Sequence, residues 1–112
     1  MRDHFQEFDI SPELVREMLE DGDDDLILLD VRDDWEWEVV HLEGAIHIPL
    51  DELGLRIKEL DPHLDIVTYC HVGERSVDAC LLLWENGFRK VRNMTGGIEA
   101  WSELVDPTVP KY

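Results

Sequence analysis

Residues 65–76 read DIVTYCHVGERS, and both the architecture and the chemistry of the chain can be predicted from them. Asp65 to Cys70 is an apolar run typical of a parallel strand that is covered on both faces. A short loop with one glycine follows. From about Ser76 to Asn86 apolar residues recur at helical spacing, with Gly87 as a left-handed helix end. A buried strand that leads through a short loop into a helix indicates an α/β fold with a parallel sheet.

The rest of the chain repeats this alternation of apolar runs and helix-period segments. Further strands are predicted at Leu26 to Val31 and Lys90 to Met94. Further helices are predicted after the Ser11–Pro12 start signal, near Asp51 to Leu60 and at about Gly97 to Leu104. The first of these helices should bury an apolar stripe formed by Leu14, Val15, Met18 and Leu19.

The sequence has 112 residues, the size of one ordinary domain, and a formal net charge of −17 from 27 acidic and 10 basic residues. Such a surface repels phosphate backbones, so nucleic acid is not expected as a partner. No apolar stretch reaches the roughly 20 residues that span a bilayer, and charges interrupt the start, MRDHFQEFDI. We therefore expect no membrane partner and a cytoplasmic location. Cys70 and Cys80 are expected to be free thiols, because a domain with this much apolar material needs no disulfide.

Cys70 stands where a strand ends, which is the edge of a parallel sheet where ligands bind. The loop His71 to Ser76 can turn successive backbone N–H groups inward, and the following helix N-terminus adds about half a positive charge. Such an anion-binding loop would stabilise the thiolate of Cys70 and make it a nucleophile at neutral pH. Arg75 can add a permanent positive charge and a forked donor for an oxyanion of the substrate.

These residues also have structural interpretations, which the sequence leaves open. Cys70 could be an inert core thiol and Arg75 a solvent-exposed residue. Asp30 and Arg32 end the other long strand. We interpret them as a structural charge pair near the site rather than as catalytic groups, because a buried charge needs a partner. Cys80 is assigned to the core, with a resolving thiol as the alternative.

The histidines and tryptophans indicate no further site. No metal is expected, because no histidines have the spacing of a helical zinc pair or a zinc finger. The five histidines are His4, His41, His47, His63 and His71. His71 either orients a substrate or is an exposed loop residue. We assign the four tryptophans to the core or to a pocket wall, and expect Trp35 and Trp37 to face opposite ways if their segment is extended.

Four segments resemble motifs of the rhodanese family of sulfurtransferases, in the family's order and over nearly the whole chain. They are Leu29–Arg32 (LDVR), His41–Pro49 (HLEGAIHIP), Cys70–Ser76 (CHVGERS) and Gly96–Trp101 (GGIEAW). The tail, Trp101–Tyr112, is further similar to the end of rhodanese domains fused to molybdopterin-synthase-activating enzymes. The resemblance implies a rhodanese-like open parallel sheet of about five strands, flanked by helices on both faces, in a single domain covering residues 1–112.

The same resemblance implies a sulfurtransferase. Cys70 would take a sulfane sulfur from thiosulfate or a persulfide and pass it, as its own persulfide, to a thiol or cyanide. The loop residues implied to bind the sulfur are His71, Val72, Gly73, Glu74, Arg75 and Ser76. The implied partners are a small sulfur donor and a thiol acceptor, with a sulfur-relay protein as a further candidate, and no cofactor is required.

Two rival functions stay open on the sequence alone. Cys-dependent phosphatases and arsenate reductases place one more residue between cysteine and arginine than the four residues, 71–74, found here. The smaller ring suits a sulfur atom better than a tetrahedral oxyanion. A non-catalytic rhodanese-like interaction module would usually lack the cysteine.

Glu74 is an unexpected residue in a loop that binds anions. A carboxylate at the pocket mouth would oppose thiosulfate and favour a less charged or protein-borne donor.

Overall fold

A computed structural model describes residues 8–112, in which five parallel strands form one sheet with the order β1-β5-β4-β2-β3. The strands are β1 (Asp9–Ile10), β2 (Leu26–Asp30), β3 (Ile46–His47), β4 (Asp65–Tyr69) and β5 (Val91–Met94). The helices are α1 (Pro12–Glu20), α2 (Asp34–Val39), α3 (Leu50–Arg56), α4 (Arg75–Glu85) and α5 (Gly97–Leu104), and a 3-10 turn covers Ile57–Glu59. The predicted α/β class is confirmed, while residues 1–7 of the predicted domain lie outside the described residues.

Two apolar clusters cover the two faces of the sheet. On one face, α3 and α4 contribute Leu53, Cys80 and Leu83 to a cluster that packs on β2 and β4. On the other face, α1 and α5 contribute Val15 and Trp101. Because both faces are covered, the central strands are near-continuous apolar runs rather than alternating ones. Within residues 8–112, no helix is both long enough and apolar enough to cross a membrane.

Several predicted elements differ in detail from those observed. The first helix begins as predicted, with the Leu14 backbone N–H donating to Ser11 Oγ at 3.1 Å and Pro12 at its first position. The predicted apolar stripe is only partly buried, because Leu14 and Leu19 are 45% and 41% exposed. The predicted helix over 51–60 shortens to α3 and the 3-10 turn, after which Leu60 returns to an extended backbone.

The segment around the first two tryptophans differs from the assignment of these residues to the core or to a pocket wall. Trp35 and Trp37 lie in the short helix α2 rather than in an extended segment. The helix begins after Asp33, whose backbone N–H donates to the Glu36 carboxylate at 3.0 Å, which is one half of a capping box. Trp35 is 60% exposed, so it contributes little to the core.

The start of α5 holds the loop that follows β4. The backbone N–H groups of Ile98 and Glu99 donate to the carbonyl oxygens of Cys70 and His71 at 2.9 and 3.1 Å. Gly97 makes this approach possible, because its φ is +61° and a Cβ there would overlap the carbonyl oxygens of Cys70 and His71. The loop and the helix must therefore meet at glycine.

We predict that Gly97→Ala lowers the free energy of unfolding by about 2 to 4 kcal/mol, because backbone strain adds to a backbone clash. Gly54→Ala is the matched control. Gly54 lies inside α3, has no positive φ, and a Cβ there would meet nothing within 4 Å. This substitution should stabilise by up to about 1 kcal/mol through helix propensity. Urea unfolding of both variants measures the difference, and equal effects would contradict this account of Gly97.

Candidate functional site

Cys70 directly follows β4, the middle strand of the sheet, and its side chain is buried. Three groups surround its sulfur. The backbone N–H of Gly73 donates to Sγ at 3.1 Å, the backbone N–H of Ser76 donates at 3.4 Å, and Ser76 Oγ lies 3.3 Å away. Backbone N–H groups converging on a sulfur stabilise its anionic form. The segment thus folds into a loop with inward-facing backbone N–H groups, as its sequence predicted.

The loop keeps this shape through one glycine and the helix behind it. Gly73 has a φ of +101°, and a Cβ there would lie 3.0 Å from the backbone nitrogen of Gly96. Helix α4 begins at Arg75 and directs its N-terminal dipole towards the sulfur. Val72 and Glu74 are exposed, so their side chains are open to solvent or to a partner.

Arg75 does not hold its fork open for a substrate. Its Nη1 and Nη2 atoms donate to Oε1 and Oε2 of Glu36 at 2.7 and 2.9 Å, a bidentate pair supplied by α2. The Glu36 side chain is only 4% exposed. The sequence predicts that this guanidinium binds an oxyanion of the substrate. The structure instead satisfies it with a buried carboxylate, because a short helix delivers Glu36 to the mouth of the loop.

Tyr112 joins this pair from the far end of the described chain. Its hydroxyl donates to Glu36 Oε2 at 2.6 Å and accepts from Arg32 Nη1 at 2.9 Å. Burial alone would raise the pKa of Glu36, but the hydrogen bonds from Arg75 and Tyr112 outweigh it and hold that pKa at about 2. The carboxylate of Glu36 is therefore a fixed negative charge beside the loop.

The tyrosine ring also packs on the loop itself. It stacks on the His71 ring with centroids 4.1 Å apart and meets Trp35 edge-on at 5.9 Å. His71 Nε2 lies 3.5 Å from the Glu99 carboxylate. His71 is therefore half-buried between Tyr112 and α5. Its ring is less accessible to a substrate than the ring of a fully exposed loop residue would be.

Asp30, the last residue of β2, and Arg32, two residues further on, form the charge pair that the sequence indicated. Both side chains are fully buried, and Arg32 Nη2 donates to Asp30 Oδ2 at 2.7 Å. Arg32 also donates to the carbonyl oxygen of Val40 at 2.6 Å. Arg32 contacts Tyr112 at the loop and lies over the ring of Tyr69, directly before Cys70, but within residues 8–112 neither member of the pair hydrogen-bonds Cys70.

The second cysteine lies on the buried face of α4. Cys80 is fully buried, with Sγ 3.2 Å from Thr68 Oγ1, and burial raises the pKa of its thiol to about 12. Both cysteines are free thiols. Such a neutral, enclosed thiol suits the core role given to it from the sequence. Within residues 8–112, no three potential metal ligands lie together, and His4 lies outside the described residues.

Sequence reasoning missed four residues that shape this site: Glu36, Tyr112, Asn93 and Asp9. Glu36 had a signal, since Asp33 and Glu36 have the spacing of a capping box. Asn93 accepts from the Ser76 hydroxyl at 2.5 Å and donates to Asp9 Oδ1 at 3.2 Å. These contacts join segments that are far apart in the chain, so no local sequence pattern predicts them.

Among known protein families, the one described as Rhodanese-like domain matches residues 11–104 of this chain. The "Sulfurtransferase" of Allochromatium vinosum is 33% identical over 101 residues, 90% of this chain and 94% of that protein. The "Probable adenylyltransferase/sulfurtransferase MoeZ" of Mycobacterium tuberculosis is 36% identical over 105 residues, 92% of this chain. The chain spans less than half the length of several curated relatives, and 26% in the case of MoeZ.

Solved structures are similar over most of the chain. The rhodanese-like domain of the Anabaena protein Alr3790, determined by solution NMR, superposes with a TM-score of 0.81 at 29% identity. The superposition covers 88% of this chain and 75% of that one. The printed name of MoeZ, which joins an adenylyltransferase to a sulfurtransferase, agrees with the resemblance of the sequence to rhodanese domains fused to activating enzymes.

We predict that Glu36→Gln lowers the free energy of unfolding at neutral pH by about 2 to 3 kcal/mol, because it leaves Arg75 without its charged partner. The native pKa of Glu36, about 2, lies below its ordinary value of 4.5. The stabilisation is therefore fully present above pH 4.5 and is lost as the pH falls towards 2. Unfolding of parent and variant at a series of pH values should give curves that converge across that window.

Glu38→Gln is the control for Glu36→Gln, because Glu38 is an exposed residue of the same helix. It should change stability by less than about 0.5 kcal/mol at any of these pH values. A constant gap between the parent and Glu36→Gln down to the lowest pH would mean that the Glu36 carboxylate is not the stabilising group.

Proposed function

Because the chain belongs to the rhodanese-like domain family, we propose that it is a sulfurtransferase in which Cys70 carries a sulfane sulfur from a donor to an acceptor. The observation that carries this proposal is the pair of backbone N–H groups, from Gly73 and Ser76, that point at Cys70 Sγ. A loop of this kind can stabilise both a thiolate and the persulfide it becomes. A relative that this chain nearly spans is named a sulfurtransferase.

The proposed reaction has two displacement steps. The Cys70 thiolate attacks the outer sulfur of the donor, an S–S bond forms at Cys70, and the donor's own bond to that sulfur breaks. The leaving group, sulfite from thiosulfate or a thiolate from a persulfide, departs with the bonding electron pair. An acceptor thiolate or cyanide then attacks the outer sulfur, and Cys70 leaves as the thiolate. No net oxidation of the protein occurs, and neither step needs a cofactor.

The state of Arg75 favours sulfur transfer over phosphate ester hydrolysis. A phosphatase would need the guanidinium fork for the equatorial oxygens of its substrate. Here both fork nitrogens already bond Glu36, whose fixed negative charge would also repel a phosphate. A single sulfur atom can be held by the backbone N–H groups alone. The cysteine itself argues against a module that only binds partners.

For the donor and acceptor we propose a small or protein-borne persulfide and a thiol, with a sulfur-relay protein as partner. The support is chemical: neutralised Arg75 and exposed Glu74 leave little net positive charge for a dianion such as thiosulfate. The relative MoeZ, whose printed name joins an adenylyltransferase to a sulfurtransferase, also suits a relay. Two free thiols suit a reducing compartment such as the cytoplasm.

We predict that Cys70→Ala abolishes sulfur transfer while leaving thermal stability close to that of the parent, because the thiolate is the covalent carrier. Cys80→Ala is the matched control. It should keep most of the activity and lose about 1 to 2 kcal/mol of stability, as expected for a small buried side chain. Transfer assays with a cysteine persulfide donor measure both. Activity retained by Cys70→Ala would refute the mechanism, and equal loss in both variants would indicate a two-thiol redox cycle.

We further predict that Glu74→Gln raises kcat/KM for thiosulfate by about threefold at low ionic strength, because a like charge near the loop is removed. The gain should shrink as salt screens the charge in the parent. Kinetics with an uncharged persulfide donor should barely change. Glu85→Gln, at the other end of α4, removes an equal charge at a distance and should have no effect. Unchanged thiosulfate kinetics in Glu74→Gln would mean that Glu74 does not face the donor.

A further inference from the structure

The Ser76 hydroxyl lies between the sulfur of Cys70 and a buried amide. Ser76 Oγ is 3.3 Å from Cys70 Sγ and 2.5 Å from Asn93 Oδ1, and both Ser76 and Asn93 are buried. Asn93 Nδ2 in turn lies 3.2 Å from Oδ1 of Asp9, its register partner in the β1–β5 pair. A continuous chain of side chains thus runs from the exposed Asp9 to the sulfur.

The donors and acceptors in this chain can be assigned one after another. A carboxylate only accepts hydrogen bonds, so the Asn93 atom that faces Asp9 must be the amide nitrogen. The Asn93 atom that faces Ser76 is then the carbonyl oxygen, which also only accepts. Ser76 has a single hydroxyl hydrogen, and Asn93 takes it. Only a lone pair of Ser76 Oγ remains to face Cys70.

We propose that Asp9, acting through Asn93, is a positioning residue that makes Ser76 an acceptor towards Cys70 rather than a donor. An acceptor bonds the S–H of the thiol and opposes the thiolate. The backbone N–H groups of Gly73 and Ser76 then face the sulfur as donors, whereas the Ser76 hydroxyl faces it as an acceptor. The inference extends the proposed role of Cys70, but its test does not depend on sulfur transfer.

Other charges also act on Cys70, and the test must separate them from the hydroxyl. Arg75 lies at the start of α4 with Glu36 of α2 in its fork, and His71 follows Cys70 in the loop beside Glu99 of α5. Asp9 itself carries a charge, so its removal favours a thiolate even without any change at Ser76. A double-mutant cycle cancels these contributions, because it compares the effect of one neutral substitution in two backgrounds.

The experiment follows the rate of alkylation of Cys70 by iodoacetamide against pH, in the full chain with Cys80→Ala to remove the second thiol. Ser76→Ala removes the opposing lone pair, so the pH midpoint of the alkylation rate should fall by roughly 0.5 to 1 unit. This shift corresponds to the net free energy of one neutral hydrogen bond. Asp9→Ala removes the acceptor that holds the Asn93 amide nitrogen, so Asn93 can turn that nitrogen towards Ser76, which frees the Ser76 hydrogen for the sulfur. In that background Ser76→Ala should raise the midpoint.

A reversal of sign between the two backgrounds is the expected result, and a merely structural role of Asp9 would not produce it. A rise of the midpoint with Ser76→Ala in both backgrounds would overturn the proposal, because Ser76 would then always be a donor. The same shift, or no shift, in both backgrounds would also overturn it, because Asp9 would not control the hydroxyl. Asp9→Leu, whose side chain also lacks an acceptor, provides a second way to release Asn93 and should reproduce the reversal.

Discussion

The contact between the start of α5 and the loop after β4 is the constraint on which the site depends. Two backbone N–H groups of α5 hold the carbonyl oxygens of Cys70 and His71, and Gly97 is the residue that lets them approach. With its carbonyl groups turned towards α5, the loop is left with N–H groups that face the sulfur of Cys70. The inward direction of these N–H groups therefore follows from backbone geometry rather than from the side chains of the loop.

The charged side chains around the loop are largely satisfied by one another. Arg75 bonds Glu36, Glu36 accepts from Tyr112, and Tyr112 accepts from Arg32, which in turn pairs with Asp30. This series of contacts ties α2, the end of β2 and the last residue to the mouth of the site. It leaves the backbone as the main source of positive potential at Cys70, which suits a single bound sulfur better than a large oxyanion.

Long elements and local motifs could be predicted from the sequence, whereas the contacts between distant segments could not. The strands β2 and β4 are long apolar runs, and the Cys70 loop follows directly from one of them. Two-residue strands such as β1 and β3 carry too few side chains for a periodic signal. The partner of Arg75 stands 39 positions away on a helix that was not predicted, so the sequence did not indicate the ion pair with Glu36.

The most direct test of the account is the intact mass of the protein after incubation with a cysteine persulfide, followed by peptide mapping. The account predicts a gain of one sulfur atom, located on Cys70, that disappears when an acceptor thiol is added. Parallel incubation with a phosphate ester should leave the mass unchanged. A phosphorylated Cys70, a sulfur on Cys80 instead, or no adduct with any donor would contradict the assignment of Cys70 as a sulfur carrier.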